Sequence, residues 1–197
     1  MSATRSLFPG MGRIIKIKGT SVIDALEAVR KREGEQRLGE IIGSLDAASR
    51  DVFQRGMLPT NYYSLDAFVA FLEAGLRLSG DDERILIQRS GAVAERQLTG
   101  LYRVFVKLGS PEFVVRRISV IHQTYFVGTA VQVHALQPGE ARIRYLGFGK
   151  QHRLMEYVMI GFYQKALEIC GARNIQAQMS VPMATDGAYC ELCVTWQ

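Results

Sequence analysis

His122 sits in the run RRISVIHQTYF (116–126), among isoleucine, valine and aromatic side chains, and is one of three histidines in the chain. An imidazole in such company is either a metal ligand, giving one neutral nitrogen to iron, or a polar group satisfied inside a core. A second pattern with a ligand's spacing is Cys190-Glu191-Leu192-Cys193, since C-x-x-C in a knuckle or at a helix start serves zinc or redox chemistry. Tyr102, Phe105, Tyr125, Phe126, Phe148, Tyr157, Phe162 and Tyr163 gather in the second half of the chain. Most belong to a core. Tyrosine hydroxyls, His122 and Arg103 beside an apolar helix–sheet cleft are also the groups a small-ligand pocket uses to orient an apolar guest. The glycine runs GFGKQH and GMGR lack the length and flanks of a phosphate loop, and neither H-E-x-x-H nor G-x-S-x-G occurs. The expectation is a protein that is not an enzyme.

The elements that must position these residues follow from spacing. RIIKIKG reads as a short strand or an extended lead-in. Ser21 is then a candidate N-cap for a helix with Val22, Leu26 and Val29 on one face, a Glu27–Lys31 pair on the other, and Gly34 at its end. EQRLGEIIGSL and DAASRDVFQRG predict two more short helices, broken by Leu58-Pro59. Ser64 caps a helix with Leu65, Phe68, Val69, Leu72 and Leu76 on one side. Another runs from about Asp82 to Leu108 through Ala94, Leu98, Leu101 and Phe105. A single helix from Pro111 carries Val114, Ile118, Ile121 and Tyr125, with His122 beside that stripe and turned inward or along a cleft.

The period then changes to two. Val131, Val133 and Ala135 alternate with Gln132, His134 and Leu136; Pro138-Gly139 suits a type II turn; and Ala141, Ile143 and Tyr145 return. An apolar helix from about His152 to Cys170 follows, with Gly161 marking a close approach to a neighbour. A second hairpin runs through Ile175, Ala177, Met179 and Val181, turns at Thr185-Asp186-Gly187, and ends at Trp196. The expected fold class is α+β: N-terminal helices followed by a ββαββ antiparallel sheet packed with helices. On a strand, alternation sends Cys190 and Cys193 to opposite faces, so one ion cannot easily take both.

At 197 residues and 48% hydrophobic, the chain can bury a real core. The net charge of +5 is spread out, and Arg30-Lys31-Arg32 and Arg116-Arg117 read as solvated helix faces, which argues against nucleic acid. Three cysteines suit a reducing cytoplasm, and neither a secretory signal nor a membrane span is visible.

KGTSVIDALEAVRKREGEQRLGEII resembles the opening helices of the haem-nitric-oxide/oxygen-binding (H-NOX) sensors, and MIGFYQKALEICGARNIQAQMSVPMATDGAYCELCVTW looks like the closing helix and hairpin of 4-vinyl-reductase-type domains. AERQLTGLYRVFVKLGSPEFVVRRI is similar to a paralogous family of myxobacteria and other bacteria that joins these features. Residues 1–17 read as a tail or short strand, and the resemblance, which covers nearly everything from Lys18 onward, implies 18–197 as a single domain, helical over 18–127 and helix-plus-sheet over 128–197. It places His122 at the position of the proximal haem ligand. H-NOX proteins clamp the haem propionates with Y-x-S-x-R, but here Tyr145-Leu146-Gly147-Phe148-Gly149 keeps the tyrosine and has glycines for serine and arginine. Without that bidentate contact, a partly buried carboxylate is costly.

The expected function is thus a non-catalytic sensory or regulatory module that binds a small apolar ligand, a partner protein or both and signals through self-association, without a cofactor or metal. Haem on His122 is the alternative, and an adaptor with a filled pocket is a further one. Candidate ligand-binding residues are His122, Tyr102, Arg103, Phe126 and Tyr145. The expected partners are a second copy of the chain, as a homodimer, and a signalling protein, with no nucleic acid and no membrane.

Overall fold

The apolar spacing of the first half is realised as helices in the computed structural model, which describes residues 14–99, 110–185 and 187–197. Strand β1 (Lys16–Lys18) runs directly into α1 (Gly19–Gly43), followed by α2 (Ala47–Gln54), β2 (Tyr62–Ser64), α3 (Leu65–Ser79) and α4 (Ile85–Thr99). Ser21 is not the N-cap. The helix starts at Gly19, whose N–H is taken by the Asn61 carbonyl at 2.7 Å, so a loop supplies what a capping side chain would. Gly34 does interrupt the helix, with φ of 88°, but helical structure resumes to Gly43. Glu27 pairs with Arg30, one residue short of the expected Lys31. Ser64 caps α3 as expected, its Oγ accepting from the Ala67 N–H at 3.2 Å.

The expected single helix from Pro111 is two, α5 (Pro111–Arg116) and α6 (Ile118–Tyr125), because Arg117 leaves helical geometry at φ −91°, ψ 2°. The break re-aims α6, so Ile118, His122 and Tyr125 are buried together. Strand β3 (Phe126–Val127) follows at once and pairs with β1, which also pairs with β2. Ile17 thereby lies between Tyr63 and Phe126. This small sheet, of which only β1 was expected, ties the end of α6 to the start of α1.

The second sheet has β4 (Ala130–Gln137), β5 (Glu140–Leu146), β7 (Cys190–Thr195) and β6 (Gln176–Val181) in the order β4-β5-β7-β6, all antiparallel. Its first hairpin turns through Pro138 and Gly139, with Gly139 at φ 78°. A bulge at His134 shifts the register, so Leu136, not Ala135, turns toward the core. Helix α7 (Met155–Ile169) covers the sheet, packing fully buried Met155 and Leu167 toward Ala141, Ile143, Leu192 and Val194. Cys190 faces this core and Cys193 the other side, as the alternation requires. Gly161 on α7 lies against the Ile87 carbonyl of α4, where a β-carbon would collide.

Candidate functional site

The helical stripes do not close on one another. Ala25, Ala28, Val29 and Arg32 of α1, Phe68, Phe71, Leu72 and Gly75 of α3, and Ile118, Ile121, His122 and Tyr125 of α6 each follow the i, i+3, i+4, i+7 spacing of one helix face. All line a common cavity, with α4 and α7 as further walls. It encloses about 160 Å³, and the free space along it, counting the mouth open to solvent, is about 1250 Å³. Small side chains on α1 face aromatic ones on α3, and the volume lost at the alanines is part of what leaves room.

His122 is on this wall and only 4% exposed. Burial pulls its pKa down to about 4, so the imidazole is neutral at physiological pH. Its Nε2 is 2.8 Å from the Thr129 hydroxyl. Phe126 stacks on the ring at a centroid distance of 4.8 Å, while Tyr145 at 5.8 Å and Phe148 at 6.1 Å close its other sides. With Nε2 engaged by Thr129, Nδ1 is the ring nitrogen left over, and the neighbouring aromatics limit how far the ring can turn.

Tyr145 on β5 and Tyr163 on α7 also line the cavity. Their buried hydroxyls lie close enough to influence one another's ionisation, yet neither completes a hydrogen bond of ordinary geometry. Desolvation raises both pKa values, so both are neutral O–H groups looking for a partner. Beyond Tyr145, the two glycines that follow differ in kind. Gly147 has φ of 93° and sits 3.1 Å, at its would-be β-carbon, from the Gly128 carbonyl, so a serine would be strained there. Gly149 gives its N–H to His152 Nδ1 at 2.9 Å.

His122, Phe126 and Tyr145 are therefore brought together, whereas Tyr102 and Arg103 lie outside the described residues. Cys190 carries a thiol pushed up to about 12 by burial, which keeps it from acting as a thiolate. Among the described residues no group of three or more His, Cys, Asp and Glu is placed to hold a metal ion. Sequence reasoning missed Arg32 and Arg89, both on the cavity wall. Arg32 reads in the sequence as part of a solvated face, although its spacing from Val29 and Ala25 puts it on the inner stripe. His152 was also missed, and nothing in the short GFGKQH run distinguishes it.

No protein-family model matches the chain, and no curated protein does either. Solved structures do resemble it. The Fe(II) unliganded H-NOX protein from K. algicida superposes with a TM-score of 0.71 at 12% identity, covering 92% of this chain and 97% of that one. The H-NOX protein from S. oneidensis in the Fe(II)NO state gives 0.70 at 16% identity, covering 92% and 99%. A point mutant of the T. tengcongensis H-NOX protein gives 0.67 at 10%, covering 92% and 98%. Identities this low speak to architecture alone: the chain has the α+β fold of the H-NOX proteins.

Proposed function

We propose that the chain is a non-catalytic sensory module whose sensing site is the interior cavity, and that haem held through His122 is the occupant its geometry supports best. This reverses the order of the sequence expectation, which put a cofactor-free pocket first. The observation that carries it is His122 itself, a buried, neutral imidazole on the wall of a mainly apolar cavity. The residues present fit a mostly apolar group: the walls are mainly apolar, and Tyr145 and Tyr163 offer hydroxyls without partners. The neighbours with this fold are described by their iron state, which adds support.

When bound, haem iron supplies an open coordination position at which a small gas can be read. The chain's residues do the rest. His122 would hold the iron, through Nδ1 where Nε2 donates to the Thr129 hydroxyl, or through Nε2 where Thr129 gives way. Phe126 and Phe148 fix the plane of the ring. Output leaves through the surface, and self-association, or contact with a signalling protein, is the route proposed, with neither nucleic acid nor membrane. Among the described residues no helix is long and apolar enough to cross a membrane. A kinship with 4-vinyl-reductase-type and myxobacterial proteins is part of this proposal and is supported by the closing stretch from Met159 to Trp196.

A second reading, an apolar ligand without iron, is favoured by Gly147 and Gly149, which remove the strand-region clamp. Titration with ferric haem decides between the two. The haem reading expects a sharp Soret band that shifts or weakens in His122→Gly and is restored by added imidazole. A band unaffected by His122→Gly, or no band at all, overturns it.

A further inference from the structure

Helices α1 and α4 run antiparallel along the cavity and carry two polar crossings. At one, Gln97 Nε2 donates to Asp24 Oδ2 at 2.5 Å. At the other, Arg89 is paired with Asp81, and Arg32 lies within electrostatic reach of the same carboxylate. The crossings are eight residues apart on each helix, about 12 Å of helix rise. Between them the α1 and α4 walls are mainly apolar, with Ala25, Ala28, Val29 and Val93 on them. Both arginines belong to the cavity lining, and both side chains are partly exposed, so they mark an end of the cavity that meets solvent.

We infer that Arg32 and Arg89 form a carboxylate-binding site at the cavity's mouth, selecting ligands with an apolar body and an anionic end. The ion pairs they now make are ones they can leave. Asp81 keeps the Ser79 hydroxyl at 2.7 Å when Arg89 turns away. Glu33, the partner of Arg32, is also 3.6 Å from Arg37. Each arginine thus exchanges one carboxylate for another, while each displaced acid retains a partner, so the exchange costs little and the planar fork is free to bind bidentately.

The inference rests on the cavity being the ligand site, but not on iron. Two sources share this chemistry: a porphyrin, through its propionates, and a long-chain alkanoic acid.

The test measures binding of protoporphyrin IX, its dimethyl ester, palmitic acid and hexadecanol, by porphyrin fluorescence and calorimetry, to the full chain and to Arg32→Gln and Arg89→Gln. The expected result is that at least one free acid binds and outdoes its neutral counterpart, and that each substitution weakens that acid roughly tenfold or more while leaving the neutral compound unchanged. Urea midpoints within error of the parent show that the fold is intact, as exposed ion pairs contribute little. Arg89→Lys, which keeps charge without the fork, should fall between. If palmitic acid meets these criteria while neither porphyrin binds and ferric haem gives no Soret band, the arginine site stands and the haem reading falls. If acid and neutral forms bind alike and the variants change nothing, the arginine site is overturned while the haem reading stands. Binding by none of the four overturns it as well.

Discussion

His152 reaches from the short helical turn before α7 to Asp66 on α3, its Nε2 2.8 Å from the carboxylate Oδ1. The Gly149 N–H donates to Nδ1, which fixes the tautomer: the proton is on Nε2 and is donated to Asp66. The imidazole is 2% exposed, with Phe148 edge-on at 6.0 Å. One side chain therefore joins the helical half to the helix-plus-sheet half beside the segment that leads out of Tyr145.

Replacing it strands the Gly149 N–H and empties a filled site. His152→Ala should cost about 2–4 kcal/mol, as unpaired buried groups and small cavities do. Asp66→Ala removes only the exposed partner and should cost about 1 kcal/mol or less. Urea unfolding of both variants checks the ranking, and equal losses would mean that the Asp66 contact, not the buried ring, carries the joint.

Gly161 and Gly91 form a contrast within one helix contact. A β-carbon at Gly161 meets the Ile87 backbone carbonyl, which cannot move without parting α4 from α7. One at Gly91 finds the Gly161 carbonyl at 3.5 Å, ordinary contact. Gly161→Ala should therefore destabilise by about 1–3 kcal/mol. Gly91→Ala should be neutral or gain up to about 1 kcal/mol from helix propensity. Thermal melts of the two variants should move apart, and a matched loss in both would refute the asymmetry.

Much of this was legible in the chain. Period-two segments ending in Pro138-Gly139 and the stripe of α7 placed the second sheet and its covering helix, because alternation and helical spacing are local properties. The small sheet was not, because β2 and β3 are short strands, Tyr62–Ser64 and Phe126–Val127, held by pairing with β1 and carrying too few residues to show a period. Candidate residues followed the same rule. His122 and Tyr145 were named from the resemblance, and Phe126 from its place beside His122 in the sequence. Arg32 and Arg89 were not, since their meeting depends on how α1 crosses α4. A charged residue on an inner stripe, seven positions after Ala25, was the signal that could have found the first of them.

The buried imidazole of His122 should leave a mark on stability against pH. Its folded value of about 4 lies below the ordinary 6.5, so the unfolded chain takes up a proton that the folded chain refuses. Above pH 6.5 both states are neutral there and nothing is lost; as pH falls from 6.5 toward 4 stability should drop, by about 3 kcal/mol in all. In His122→Leu that part of the slope should disappear. Urea midpoints at half-unit steps of pH test this, and parallel curves for parent and variant would show that the ring protonates freely in the folded state.

On the far face of the second sheet, Glu191 points away from the core yet is 4% exposed, with Arg144 Nε at 2.7 Å from one oxygen and the Ser180 hydroxyl at 2.9 Å from the other. Arg144 is itself held over the Tyr189 ring at 4.2 Å, and it stands opposite Glu191 in the β5–β7 register. Taking away the guanidinium leaves a largely covered carboxylate with one neutral donor and the more distant Arg142 at 3.8 Å. Arg144→Met should thus cost about 2 kcal/mol, below the loss for a fully enclosed pair because Arg142 and solvent compensate in part. Adding Glu191→Leu should recover most of that loss, since an apolar pair on neighbouring strands has no charge to strand. The double-mutant cycle reads the coupling directly: if the second substitution deepens the loss instead, Glu191 is held chiefly by Ser180 and the sheet, and the arginine is incidental to it.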